Sequence, residues 1–238
     1  MNSIDNKTVA EVVAENIKTA HIFKKHGIDF CCGGGITIEK ACEKKALDYE
    51  ILKNELLQID DAPIAYAYNS WNLDFLIDHI INIHHTYVKE SIPLILQYSN
   101  KVAQVHGHHY TEVVTINQLF TEVANELAAH LKKEELVLFP YIKKLLKLKT
   151  EGAQLETPPF ETVNNPIQMM EQEHESAGDI FKTIAELTNN YTPPKGACNT
   201  FKALYAKLEE FEQDLHQHVH LENNILHRKA KELELSFT

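Results

Sequence analysis

The stretch His130-Leu-Lys-Lys-Glu134 sets a nitrogen ligand and a carboxylate one helical turn apart, and residues four apart on an α-helix face the same way. They lie on the apolar line Ile116, Leu119, Val123, Glu126, His130, Glu134, Val137, Tyr141, whose alternating steps of three and four belong to a helix. The spacing predicts a His and a Glu that point into a core, where a carboxylate persists only when it is paired or bound to a metal. His218-Val-His-Leu-Glu222 repeats the device on the line Leu204, Leu208, Phe211, Leu215, His218, Glu222, Ile225. The segments HLKKEELVLFP and HVHLENNILHR align without gaps. His174 stands on a third line with Ile167, Met170, Ala177 and Phe181. A lone histidine of this kind is more often a hydrogen-bonded core or surface residue than a ligand. Three helices that each turn one inward, two of them with a Glu one turn on, would need a dense polar network, whereas two metal ions satisfy all of these groups at once.

Further histidines are available for the same centre. His84 or His85 comes from the helix before, and His106, His108 or His109 from the break that follows it; periodicity does not choose between neighbours. With no thiolate among these positions, Cys-type structural zinc is disfavoured, and the excess of imidazole disfavours calcium and magnesium. A pair of iron ions bridged by carboxylates fits best, with manganese or zinc behind it. Glu171-x-x-His174 occurs in a single copy, unlike the repeated Glu-x-x-His of ferritin-type centres. So nitrogen-rich a set is expected to favour ferrous iron and reversible ligand binding over oxygen activation. Glu126 and Glu173, beside the ligand positions, are expected to hydrogen-bond the ligands from behind.

The elements that must position these residues are long helices. One runs from about Trp71 to Glu90, stops near Pro93 and continues to about Val105, with Gly107-His-His-Tyr110 as its break. A second covers about Thr115 to Lys147. A third covers about Ile167 to Asn189, with Pro166 as its first residue, and a last one about Cys198 to Leu233. Loop chemistry fills Glu151 to Pro166 and Asn189 to Pro194. The expected fold class is all-α: an up-and-down four-helix bundle over residues 71–238, preceded by a small helical domain over residues 1–60 and a linker over 61–70. In the small domain Thr8 is expected to cap a helix carrying Val9, Val12, Val13, Ile17 and Phe23, and Gly27 to stop it. Asp29-Phe-Cys31-Cys32-Gly33-Gly-Gly35 is a turn whose glycines are free to take positive φ and let the backbone approach a ligand closely. Two short helices with Leu47, Ile51, Leu56 and Leu57 as apolar positions follow.

Composition removes several functions. The 238 residues carry a formal charge of -11, which argues against a nucleic-acid surface, and the basic run Lys143 to Lys149 reads as a solvated helix end. With 44% hydrophobic residues the chain is globular, yet no apolar stretch approaches the length of a membrane span. The polar start has no apolar signal core, so a cytoplasmic location is expected. Four cysteines, at 31, 32, 42 and 198, are too few for a disulfide framework.

The pattern His…His…His-x-x-x-Glu…His…His-x-x-x-Glu, with KEELVLFP after one pair and LENNIL after the other, resembles the hemerythrin-like domain of the repair-of-iron-centres family. Asp-Phe-Cys-Cys-Gly-Gly is similar to that family's small leading domain. The resemblance covers nearly the whole chain and departs from the family's usual LFPRA only at Leu226-His227-Arg228-Lys229-Ala230. It implies an oxo- and carboxylate-bridged di-iron centre held by His85, His106, His130, His174 and His218, with Glu134 and Glu222 as bridges. It also implies repair of iron-sulfur clusters damaged by nitric oxide or peroxide, by donation of iron to those cluster proteins, with Cys31 and Cys32 as a redox or hand-over pair. The plain alternative for the two thiols is that they fill a tight turn as small apolar groups. On this reading His216 and His220 flank His218 as surface residues, and a second copy of the chain is a candidate partner. Rival readings of the same ligands are an oxygen- or nitric oxide-binding sensor and a di-iron nitric oxide reductase.

Overall fold

The computed structural model describes residue 4 and residues 6–59 and 68–237. The described residues form helices and no strand, with one isolated bridge between Thr8 and Thr37. The chain divides into two compact units, one made of the described residues up to Leu76 together with His216 onward, the other of Ile77–Leu215. The stretch from His216 therefore groups with the N-terminal helices, although the sequence assigns it to the bundle. The expected linker at 61–70 lies outside the described residues except for Tyr68–Ser70, a single 3-10 turn.

The first unit begins with α1 (Val9–Glu15), α2 (Ala20–Lys25), α3 (Ile38–Lys45) and α4 (Tyr49–Leu57). Thr8 caps α1 in a full capping box with Glu11, which satisfies orphan donors on both sides. The helix expected to run on to Phe23 is interrupted at Asn16, whose extended backbone caps a 3-10 turn over Ile17–Thr19 instead. Gly27, at φ +65°, ends α2 as predicted. Gly33, Gly34 and Gly35 do not take positive φ; their value is close approach. A Cβ on Gly34 would stand 2.4 Å from the Phe30 carbonyl oxygen, and Gly34 itself accepts from the Ala10 N–H at 2.8 Å. In α4 the buried positions are Leu52 and Leu56, with Ile51 and Leu57 exposed.

The second unit holds the remainder of α5 (Leu73–His79), then α6 (Thr86–His106), α7 (Glu112–Lys133), α8 (Phe139–Glu151), α9 (Asn164–Leu187) and the first part of α10 (Asn199–Leu221). Each long helix buries one apolar stripe, so successive helices pack around a common core. At its centre Phe120, Phe181 and Phe211 are fully buried, the last two stacked at 5.4 Å. Helix α6 passes through Pro93 without stopping.

Among the described residues three π-turns interrupt the helical ladder, at Ile80–His85, Glu134–Leu138 and Glu222–Leu226. Each adds a residue to one turn and rotates everything after it on the helix surface. The buried line of α7 consequently runs Val113, Ile116, Phe120, Val123, Leu127, His130, Glu134 and then Leu138, leaving the expected Val137 exposed. Pro140 follows the second π-turn and has no N–H to donate to the carbonyl four residues back, which favours a wider turn there.

Candidate metal centre

The second unit buries His85, His130, Glu134 and His174, none more than 2% exposed. His85 closes the first π-turn, His130 lies in the last turn of α7, Glu134 opens the next π-turn, and His174 comes from the middle of α9. One oxygen of Glu134 lies 3.4 Å from His85 Nε2 and 3.3 Å from His130 Nε2. His174 Nε2 stands 3.0 Å from His130 Nε2. His130, Glu134 and His174 each offer a ligand atom within 4.8 Å of the others.

The far side of two of these rings is fixed by carboxylates. His85 Nδ1 meets Glu135 Oε1 at 2.8 Å, and His130 Nδ1 meets Glu173 Oε2 at 2.8 Å. Each carboxylate is held in turn by a lysine, Lys89 at 2.6 Å on Glu135 and Lys133 on Glu173. Burial alone would raise both carboxyl groups, but the bonds from lysine and histidine outweigh it and hold Glu135 and Glu173 below the usual carboxylate range. An acceptor at Nδ1 fixes the tautomer with the proton on that nitrogen, so the Nε2 lone pair is directed at the buried side.

That arrangement fits a metal ion on geometry as well as chemistry. Two donor atoms each about 2.1 Å from one ion stand about 3.0 Å apart along an octahedral edge and about 3.4 Å apart along a tetrahedral one. The observed 3.0, 3.3 and 3.4 Å separations fall in that span. Without a cation, two facing imidazole nitrogens need a shared proton, and a buried carboxylate needs donors; one cation answers both demands.

The first unit carries the second His-x-x-x-Glu pair in the same local form. His218 Nε2 lies 3.0 Å from Glu222 Oε1, both at most 1% exposed, and Glu222 opens the third π-turn. His220 is buried completely, contrary to its expected surface place: it packs edge-on against Phe30, and burial pushes its imidazole down to about 4. His216 is half-buried against the same ring, so it too is no free surface residue. Asn224, from the π-turn, donates to the carbonyls of Phe30 at 3.3 Å and Cys31 at 3.1 Å. Asp29 accepts from the backbone N–H groups of Cys31, Cys32 and Gly33, and from the Cys31 thiol at 3.1 Å. The Cys31 thiol is held well above its ordinary range, first by its hydrogen bond with Cys32 and next by burial, whereas Cys32 is exposed.

Two expected residues are elsewhere. His106 ends α6 while His85 immediately precedes it, and at 1.5 Å per residue the two stand about 30 Å apart. A single compact centre cannot use both; His106 meets Cys198 Sγ at 3.3 Å instead. Glu126 is exposed; Glu173 is the carboxylate that meets His130, and Glu135, which the helical periodicity passes over, meets His85. The signal for Glu135 was the doublet Glu134-Glu135 itself, at a π-turn. The same holds for His84-His85, where both are buried and His84 Nδ1 pairs with Asp214 at 2.9 Å.

Residues 76–230 match the hemerythrin HHE cation binding domain, and residues 5–60 match a domain of unknown function, DUF542. Over 225 residues, 94% of this chain and 96% of the relative, the sequence is 34% identical to the iron-sulfur cluster repair protein YtfE of Escherichia coli (strain K12 / DH10B). The same identity and coverage hold for the protein of that name from Shigella boydii serotype 4 (strain Sb227). No helix among the described residues is long and apolar enough to cross a membrane.

Proposed function

Since the chain belongs to the iron-sulfur cluster repair proteins that join a DUF542 domain to a hemerythrin HHE cation binding domain, we propose that it repairs iron-sulfur clusters damaged by nitrosative or oxidative stress, using iron from a di-iron centre. The ligands are His85, His130, His174 and His218, with Glu134 and Glu222 as bridging carboxylates. The observation that carries the reading is the pair of carboxylate-held imidazoles: Glu135 on His85 and Glu173 on His130 aim both Nε2 lone pairs toward the Glu134 carboxylate. The second pair supports it by repetition, because His218 and Glu222 reproduce the spacing, burial and π-turn of His130 and Glu134.

When bound, such a centre supplies ferrous iron to a recipient and a site for small diatomic ligands. The protein's own part is to keep the donors dehydrated and oriented. His85 and His130 are locked by charged hydrogen bonds, yet their carboxylate partners Glu135 and Glu173 are partly exposed and anchored to solvent-facing lysines. Oriented imidazole with few anionic donors gives affinity without the permanence of a thiolate cage, which suits iron that must leave. Cys32, exposed beside the buried Cys31, is the hand-over or redox group toward cluster proteins that have lost iron. All four cysteines are free thiols, as in a reducing cytoplasm.

The test is metal content with optical and Mössbauer spectra of the purified protein, followed by iron loss to a ferrous chelator. Two irons per chain with a bridged-ferric signature, lost readily on reduction, are expected. Zinc or no metal overturns the site, and irons that stay bound overturn donation.

A further inference from the structure

The metal site leaves His106 unused, and the structure gives it a different neighbour. Its Nε2 lies 3.3 Å from the sulfur of Cys198. The imidazole is held edge-on by Phe201 at 5.5 Å, which itself meets Tyr110 at 5.6 Å, so the ring is positioned by packing. The two residues sit at opposite kinds of helix end. His106 is the last residue of α6. The Cys198 carbonyl accepts from the Lys202 N–H at 3.1 Å, which makes Cys198 the residue that caps the start of α10. At 3.3 Å, His106 Nε2 is within reach of the Cys198 S–H proton. Cys198 is exposed, whereas Cys31 and Cys42 are buried, and the exposed Cys32 has the Cys31 thiol and the amide of Asn223, at 3.9 Å, beside it.

We propose that Cys198 is a reactive thiol, with His106 as its base, that is modified by low-molecular-weight disulfides of the oxidised-glutathione class. His106 Nε2 accepts the S–H proton, and the sulfur anion attacks one sulfur of the disulfide. A mixed S–S bond forms as the reagent's own S–S bond breaks, and the departing thiolate takes up a proton. Cys198 is oxidised and the released thiol is the reduced product, so no further reactant is needed. The site is chemically independent of the metal ligands and stands whether or not iron is donated.

The experiment uses the full-length reduced chain with oxidised glutathione, following initial rates at Cys198 and Cys32 by peptide mass spectrometry. Cys198 is expected to react at least about tenfold faster than Cys32, and His106→Gln to slow it at least about tenfold while the Cys32 rate holds. In His106→Gly, imidazole added to the buffer restores the Cys198 rate several-fold. A Cys198 rate in His106→Gln within about twofold of the parent overturns the proposal. So does a parent in which Cys32 reacts faster, or a slow His106→Gly that imidazole does not rescue, since the ring would then only support the loop.

Discussion

Removing the carboxylate behind His130 separates metal binding from folding. Glu173→Ala takes away the acceptor 2.8 Å from His130 Nδ1 and the partner of Lys133. The ring can then turn or change tautomer, which withdraws the Nε2 lone pair from Glu134. Loss of such a partner typically weakens metal binding about 10- to 100-fold, or about 1.4 to 2.7 kcal/mol. The cost to the metal-free fold is much smaller. Lys133 and Glu173 are 44% and 31% exposed, and an exposed pair of this kind contributes about 0.2 to 1 kcal/mol after solvent screening. Glu173→Gln keeps an oxygen that can accept from Nδ1–H but loses the charge, so its affinity should fall between wild type and Glu173→Ala. The assay is competition with a chromophoric chelator for cobalt(II) or iron(II), run beside urea denaturation of the metal-free protein. If Glu173→Ala binds within about twofold of wild type, the Nδ1 contact does not orient a ligand. If both properties fall together by the same free energy, Glu173 is a structural residue and the argument fails.

Replacing Glu134 and Glu222 together by Ala should remove the bridged pair and leave at most one metal per chain by elemental analysis; two retained metals would refute the bridging roles. Changing Cys31 and Cys32 to Ser should slow iron transfer to a chelator or cluster acceptor with metal content unchanged, and an unaltered rate would leave the thiols as turn fillers. Phe120→Ala, in the fully buried ring cluster with Phe181 and Phe211, should cost about 3 to 5 kcal/mol in urea denaturation. Gly34→Ala, whose Cβ would stand 2.4 Å from a backbone oxygen, should destabilise by about 1 to 3 kcal/mol, whereas Gly35→Ala, with nothing within 4 Å, should not; equal effects would contradict the close-approach account.

The long helices were legible because their apolar residues recur on a stripe, and the His-x-x-x-Glu pairs because a charged residue on that stripe has few explanations. The capping box at Thr8 and the stop at Gly27 were legible because capping is local chemistry. Contacts between residues far apart in sequence left no such trace. Nothing in the spacing of His216 and His220 shows that Phe30 packs against both, and nothing near His130 shows which of Glu126 and Glu173 reaches its ring. His106 shows the opposite error. A resemblance placed it in the centre, and the length of one helix removes it.

The π-turns explain where a strict helical period fails. Periodicity assumes 3.6 residues in every turn, so it allots one residue of any adjacent pair to the core and the other to solvent. A π-turn breaks the allotment at the positions where chemistry needs two neighbours. His84 and His85 are both buried where the first π-turn ends, one pairing with Asp214 and the other directed at Glu134. Glu134 and Glu135 divide the same labour at the second, one facing three histidines and its neighbour holding His85 from behind. The wider turn therefore does more than tolerate Pro140. At the second π-turn it lets adjacent residues serve as one proposed ligand, Glu134, and as the hydrogen-bond partner of another, Glu135 on His85.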